Sequence, residues 1–170
     1  IIFNLYFMLK YIFGNWKMYL NLGQSLDLAE NLAKEDFKNK KLKLAIFPTA
    51  LALSGVKDKL ENTGILLGTQ NCAWTPQGAY TGAVSALMYK EAGCEYALVG
   101  HSERRHVFGE SNDVVRQKLE AVLEADLTAV LCIGETKEDR DGGKVQYRLK
   151  KQLMKSLEGL NIPAGKLMIA

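Results

Sequence analysis

Short unbroken apolar runs alternate with amphipathic stretches along the chain. The runs at 11–13, 42–47, 65–69, Tyr96–Val99, 128–133 and 166–170 are too short for helices and predict six buried strands. Helical spacing recurs between them. Ser25 can cap a helix in which Leu28, Ala29, Leu32 and Ala33 share a face, and Leu51, Leu53 and Val56 suggest a short second helix. Residues 84–92 predict another, stopped by Gly93. Ser111 or Asn112 can cap a helix that turns Val114, Val115, Leu119, Val122 and Leu123 inward, and Val145–Leu157 predicts a longer one.

Repeated strand-helix-strand units imply parallel pairing with right-handed crossovers, hence the α/β class. Parallel strands are covered on both faces, which explains runs without polar alternation. Two architectures compete, an open doubly wound sheet and part of an eight-stranded barrel. No glycine fingerprint follows the first run, which weakens the dinucleotide-binding version. The strand exits are unusually polar: Asn15-Trp-Lys17, Gln70-Asn71, His101-Ser-Glu103 and Gly134-Glu135. Exits converging on one pocket are what the C-terminal face of a barrel provides, so Asn15, Lys17 and His101 are expected to meet there.

Composition changes this picture little. Hydrophobic content of 48% and a net charge of +3 over 170 residues fit a globular chain with a real core. No basic stripe interleaved with aromatics appears, which argues against a nucleic-acid partner. The basic run at 38–43 reads as a solvated loop before a strand. Cys72, Cys94 and Cys132 lack paired spacing and lie in or near apolar runs, which predicts buried free thiols and a cytoplasmic, reducing setting. The apolar start, 1–13, is interrupted by Asn4 and Lys10 and is too short to span a bilayer, so no membrane partner is expected. Asn4-Leu-Tyr-Phe7 resembles a protease site used in expression tags. Residues 1–7 are therefore set apart as a tag or leader remnant, with Met8 as the expected start of an 8–170 domain.

The densest chemistry is at Tyr96-Ala-Leu-Val-Gly-His-Ser-Glu-Arg-Arg105. Gly100 lets the backbone turn at the strand's end, Ser102 is a good N-cap, and Glu103 falls in the first helical turn. His101 beside a helix N-terminus tends to stay neutral and to donate a hydrogen bond. A long loop at 72–82, with Pro76-Gln-Gly78 and Thr81-Gly82, breaks the strand-helix rhythm; loops of that length in compact domains are usually functional.

Five strings together resemble the triosephosphate isomerase family: Phe13-Gly-Asn-Trp-Lys-Met18, Gln70-Asn71, Gly78-Ala-Tyr-Thr-Gly82, Val99-Gly-His-Ser-Glu-Arg-Arg105 and Cys132-Ile-Gly-Glu-Thr136. The resemblance implies a (β/α)8 TIM barrel, of which this sequence covers about the first five βα units plus the sixth strand. It implies interconversion of dihydroxyacetone phosphate and glyceraldehyde 3-phosphate through an enediolate, without cofactor or metal. In that reading Lys17, His101 and Glu103 are catalytic, and Asn15 with Lys17 binds substrate. Glu103 reads equally well as a first-turn helix carboxylate. Cys132 is expected to give structural support and Glu135 a partly buried polar contact.

The 72–82 loop is expected to reach into a second subunit, with Gln70, Thr81 and Gly82 at the interface and a homodimer as the result. Ala83 stands where the family usually has glutamate, which removes a carboxylate from that interface. The family's catalytic glutamate lies beyond the sixth strand, so residues 1–170 alone are expected to be inactive. Two other readings stay open: a non-catalytic truncated fragment that acts only through assembly, and another phosphate-handling barrel enzyme.

Overall fold

The computed structural model describes residues 9–35, 37 and 41–170. The proposed leader at 1–7, Met8 and positions 38–40 of the basic run lie outside the described residues. The chain divides into two compact units, one running to Gln70 and including Ala92–Glu95, the other comprising Asn71–Glu91 and Tyr96–Ala170.

In the first unit, β1 (Lys10–Asn15), β2 (Leu42–Phe47) and β3 (Leu66–Thr69) are parallel. Asn15 stands opposite Phe47 in the register, so both strands exit side by side. Phe47 is fully buried and sits edge-on to Phe13, with centroids 5.6 Å apart. Its ring also lies over Gly68, where a Cβ would come within 2.2 Å of it. A side chain at 68 would have to expel the ring, which explains a glycine inside a strand.

Helix α1 (Leu22–Ala33) starts earlier than Ser25 predicts. Asn21 is its cap, in a reciprocal box with Gln24, while Ser25 is buried and donates its hydroxyl to Asn21 O at 2.8 Å. Ser25 and Ala29 point inward, whereas Leu28 is exposed. The second helix, α2 (Leu53–Lys59), buries Leu53 and Val56, but Leu51 lies before it and is 91% exposed. The two helices cross closely, since a Cβ at Gly55 would lie 2.7 Å from Leu26 Cδ2.

The second unit carries α3 (Ala86–Glu91), β4 (Tyr96–Val99), α4 (Ser102–His106), α5 (Asn112–Glu124), β5 (Thr128–Leu131), α6 (Lys137–Asp141), α7 (Val145–Leu157) and β6 (Leu167–Ile169). Strands β4, β5 and β6 are parallel, Val99 facing Leu131 and Leu131 facing Ile169. All four residues of β4 are buried. Strand β5 ends earlier than the apolar run suggests, yet Cys132 N–H still donates to Val99 O and Ile133 N–H to Ala170 O, each at 2.9 Å. Helix α5, capped by Ser111, buries Val115, Leu119 and Val122 completely. Val114 and Leu123 are half-buried, and the inward place expected for a hydrophobe is taken in part by Lys118. Burying three such aliphatic side chains contributes about 1.5–3 kcal/mol each. Among the described residues no helix is long and apolar enough to cross a membrane.

Candidate active site

In the first unit the site residues gather at the end of β1. Asn15 closes the strand and its Oδ1 accepts from Lys17 N–H at 2.9 Å. Lys17 occupies the left-handed region, φ 51°, which costs an ordinary residue about 1–2 kcal/mol. Gln70 holds it there. Its Nε2 donates to Lys17 O and to Phe47 O, both at 2.9 Å. One amide thus pins the exits of β1 and β2 together. The sequence placed Gln70 at an interface, but these two donors are used inside the unit. A strained residue held by two independent bonds is how a fold fixes a side chain's direction.

In the second unit, Gly100 turns the chain at the end of β4 with φ 69°. The N-cap of α4 is His101, not Ser102. The extended backbone geometry of a cap falls on His101 (φ −54°, ψ 148°), and its ring nitrogen does the work of the usual cap oxygen. Nδ1 accepts from Glu103 N–H at 3.4 Å, and Glu103 Oε2 lies 3.3 Å from the same nitrogen. The amide contact requires a bare Nδ1 and leaves the ring hydrogen on Nε2; the carboxylate contact requires a proton on Nδ1. Glu103 occupies the first turn of α4, so its helical role and its place beside the imidazole coexist.

Two arginines follow, and sequence reasoning gave neither a task. Arg105 donates to Gly100 O at 2.7 Å, to Asn112 Oδ1 at 2.8 Å and to Cys132 O at 3.2 Å. Arg104 donates to Glu110 Oε1 at 2.7 Å and stacks over Phe108 at 4.1 Å. That carboxylate oxygen also takes Lys118 Nζ at 2.5 Å, and Lys118 reaches Asn71 Oδ1 at 2.7 Å. Burial pushes the Glu110 carboxyl up, but Lys118 and Arg104 outweigh it and hold it below the usual range. A lysine on the apolar stripe of a predicted helix was the one available signal for this cluster.

The exit of β5 is held from α7. Gln152, 4% exposed, bonds Gly134 through both ends of its amide, accepting from the N–H at 2.8 Å and donating to the carbonyl at 3.0 Å. Thr136 and Asp139 form a capping box that starts α6, a helix the sequence reading missed although Thr-x-x-Asp announces it. Arg148 grips Asp139 with two bonds of 2.7 and 3.0 Å, and holds its carboxyl down at about 2. Glu135 accepts from Arg140 at 2.6 Å, and the contact is exposed: the Glu135 side chain is 18% exposed but its partner Arg140 is 73% exposed.

The thiols are quiet. Burial pushes Cys72 and Cys94 up to about 12 and Cys132 up to about 11, so none is a nucleophile at neutral pH. Cys72 and Cys94 are buried, Cys132 only half so. Among the described residues no group of three or more His, Cys, Asp and Glu is placed to hold a metal ion. The loop at 72–82 behaves differently from the strand exits. A bridge between Ala73 and Ser85 closes its base, and residues 76–83, Thr81 and Gly82 included, are all exposed. Trp74 and Tyr80 meet edge to face at 5.9 Å.

The family model described as triosephosphate isomerase matches residues 10–170. This chain belongs to the triosephosphate isomerase family. It is 42% identical over 147 residues to a triosephosphate isomerase of Roseiflexus sp. (strain RS-1), covering 86% of this chain and 58% of that protein. It is 36% identical over 163 residues to one of Aquifex aeolicus, covering 96% and 66%. The crystal structure of triosephosphate isomerase from Bartonella henselae superposes with a TM-score of 0.86 at 40% identity, over 95% of this chain and 66% of that one. The parallel strands and their helices are therefore part of a triosephosphate isomerase barrel. The chain spans about three-fifths of the length of the curated relatives it matches.

Proposed function

We propose that the protein to which these residues belong interconverts dihydroxyacetone phosphate and D-glyceraldehyde 3-phosphate, an aldose-ketose isomerisation of glycolysis and gluconeogenesis. The observation that carries the reading is the β4 exit, where Gly100 turns the strand and His101 caps α4 beside Glu103. With Nδ1 accepting the Glu103 amide, the imidazole presents Nε2–H as the donor to the substrate carbonyl. A base removes the carbon-bound proton, the electron pair moves into an enediolate, and reprotonation on the neighbouring carbon gives the isomer. His101 relays protons between the two oxygens. Lys17 supplies a fixed positive charge for the phosphate and the developing oxyanion, and Asn15 orients the substrate. Glu103 sits where it can exchange a proton with the imidazole. No cofactor enters this scheme.

The base that takes the proton from carbon is not among these side chains. An imidazole that donates to the carbonyl is not that base, and a charged lysine has no lone pair. Residues 1–170 taken by themselves are therefore expected to be inactive. A second copy of the chain is the proposed partner, reached through the 72–82 loop with its exposed Trp74 and Tyr80. Three unpaired thiols fit a cytoplasmic setting.

The test is a coupled isomerisation assay on the intact gene product, on residues 1–170, and on the His101→Gln and Lys17→Ala variants of the former. Loss of one such group is expected to cost about two to four orders of magnitude in turnover. Full activity in both variants, or none in the intact product, would sink the isomerase reading. Turnover by residues 1–170 alone would show that the base lies among them. An inactive intact product that still self-associates would favour the reading of a chain acting only through assembly.

A further inference from the structure

The guanidinium of Arg105 touches three elements at once: the carbonyl at the end of β4, the first residue of α5, and the carbonyl just past β5. We propose that Arg105 is a positioning residue for His101, one cation whose fork fixes the turn that aims the imidazole. The proposal rests on the isomerase reading for its meaning in catalysis.

All three acceptors are neutral, two backbone carbonyls and one side-chain amide. No ion pair among the described residues includes Arg105, although the side chain is half-buried. A half-buried cation normally acquires a carboxylate, because desolvating an uncompensated charge is unfavourable. Burial presses its pKa downward, opposed in part at longer range by the Glu110 carboxylate, and a guanidinium stays charged throughout the working range. Mere filling of this space could be done by an apolar side chain without that penalty. What an apolar residue lacks is a rigid set of donors that reach three carbonyl-type oxygens in fixed directions.

The first of those oxygens matters most. Gly100 O belongs to the peptide that carries His101 N, so anchoring it fixes the plane from which the histidine backbone departs. Gly100 is matched to the cation. A Cβ there would lie 2.7 Å from Arg105 Nη2 and 3.0 Å from Val115 Cγ2, on a backbone already at φ 69°. Only a bare Cα lets the guanidinium come this close. The third oxygen, Cys132 O, ties the same turn to the exit of β5. Displacing the cation frees the Gly100 peptide and loosens the Nδ1 contact to the Glu103 amide.

The experiment compares wild type, Arg105→Gln and Arg105→Lys in the intact gene product. It reads kcat, KM, melting temperature and the imidazole nitrogen resonances of His101, assigned with His101→Gln. A small displacement of a reacting group can cost about 100-fold. Arg105→Gln is therefore expected to lose about 10- to 100-fold in kcat with KM within about two-fold, and its His101 nitrogen resonances should move. Arg105→Lys keeps the charge without the fork and should recover only part of the rate. A folded Arg105→Gln with a lower melting temperature but wild-type kcat and unmoved resonances overturns the proposal. Should Arg105→Gln fail to fold, Arg105→Lys decides by the same readouts. Absence of turnover in wild type would count against the isomerase reading, and the resonances alone would then judge Arg105.

Discussion

Two kinds of segment stand in the second unit, and they are held in opposite ways. The exits of β4 and β5 are fixed by charged or amide side chains drawn out of water: Arg105 on three acceptors, Glu110 between Arg104 and Lys118, Gln152 on Gly134, Arg148 on Asp139. The 72–82 loop has a bridged base and an exposed aromatic pair above it. Buried polar networks stabilise little in net terms, yet they punish every alternative arrangement by leaving groups unsatisfied. Such networks hold the exits in one arrangement. A loop resting on exposed apolar contacts tolerates displacement, which suits docking against another chain.

The largest expected effect breaks the first half of this comparison. Lys118 and Glu110 have side chains only 4% and 7% exposed. Glu110 Oε2 is buried without a hydrogen-bond partner among the described residues, so the carboxylate depends on what its other oxygen receives. Lys118→Ala should destabilise the protein by about 3–5 kcal/mol, because it leaves a buried charge short of its partner. Denaturant unfolding of the intact gene product measures this. A loss below about 1 kcal/mol would mean that the cluster is solvated and that its order is not imposed by burial.

The same cluster marks where the sequence stopped being informative. Strands were legible because parallel strands are covered on both faces, and 42–47 and Tyr96–Val99 match β2 and β4. Ends were less so, since residues such as Cys132 and Ile133 keep strand-like hydrogen bonds past the last paired residue. Periodicity misplaced Leu28 and Leu51: the buried face of α1 centres on Ser25 and Ala29, which leaves Leu28 at its exposed edge, and Leu51 precedes α2. Among the candidate residues, Asn15, Lys17, His101 and Glu103 stood out because each stands in a polar exit just after an apolar run. Arg105, Lys118 and Gln152 did not. Their partners lie on other elements, so no local pattern announces them, and a charged or amide side chain on a helix reads as a solvated one.

A middle-sized effect concerns pH and the exit of β5. The Arg148 fork beside Asp139 lowers its carboxyl from 3.8 to about 2, so the folded state holds that proton less tightly than the unfolded chain. The unfolded state therefore binds more protons between those two values. The contribution is fully present above about pH 4 and is lost as pH falls toward 2. Asp139→Asn should lower the melting temperature at neutral pH, and its gap from wild type should close between pH 4 and pH 2. A gap that persists unchanged at pH 2 would show that the carboxylate charge contributes nothing and that only the shape of the side chain matters.

The smallest effect on stability sharpens the other half. Trp74 and Tyr80 are 45% and 46% exposed, so the edge-to-face pair rests largely in water. Such pairs contribute about 0.5–1.5 kcal/mol beyond their area burial, and an exposed one belongs at the bottom of that range. Tyr80→Ala should therefore change unfolding free energy by no more than about 0.5 kcal/mol, the usual size for a surface substitution. Its consequence should appear in association instead. Sedimentation of the intact gene product at graded concentrations should show the self-association equilibrium moving toward the lighter species, because a large amphipathic ring is a common anchor in an interface core. Unchanged association with a stability loss above 2 kcal/mol would reverse the assignment. The loop would then be packed as firmly as the strand exits, and the contrast between fixed strand exits and a displaceable loop would disappear.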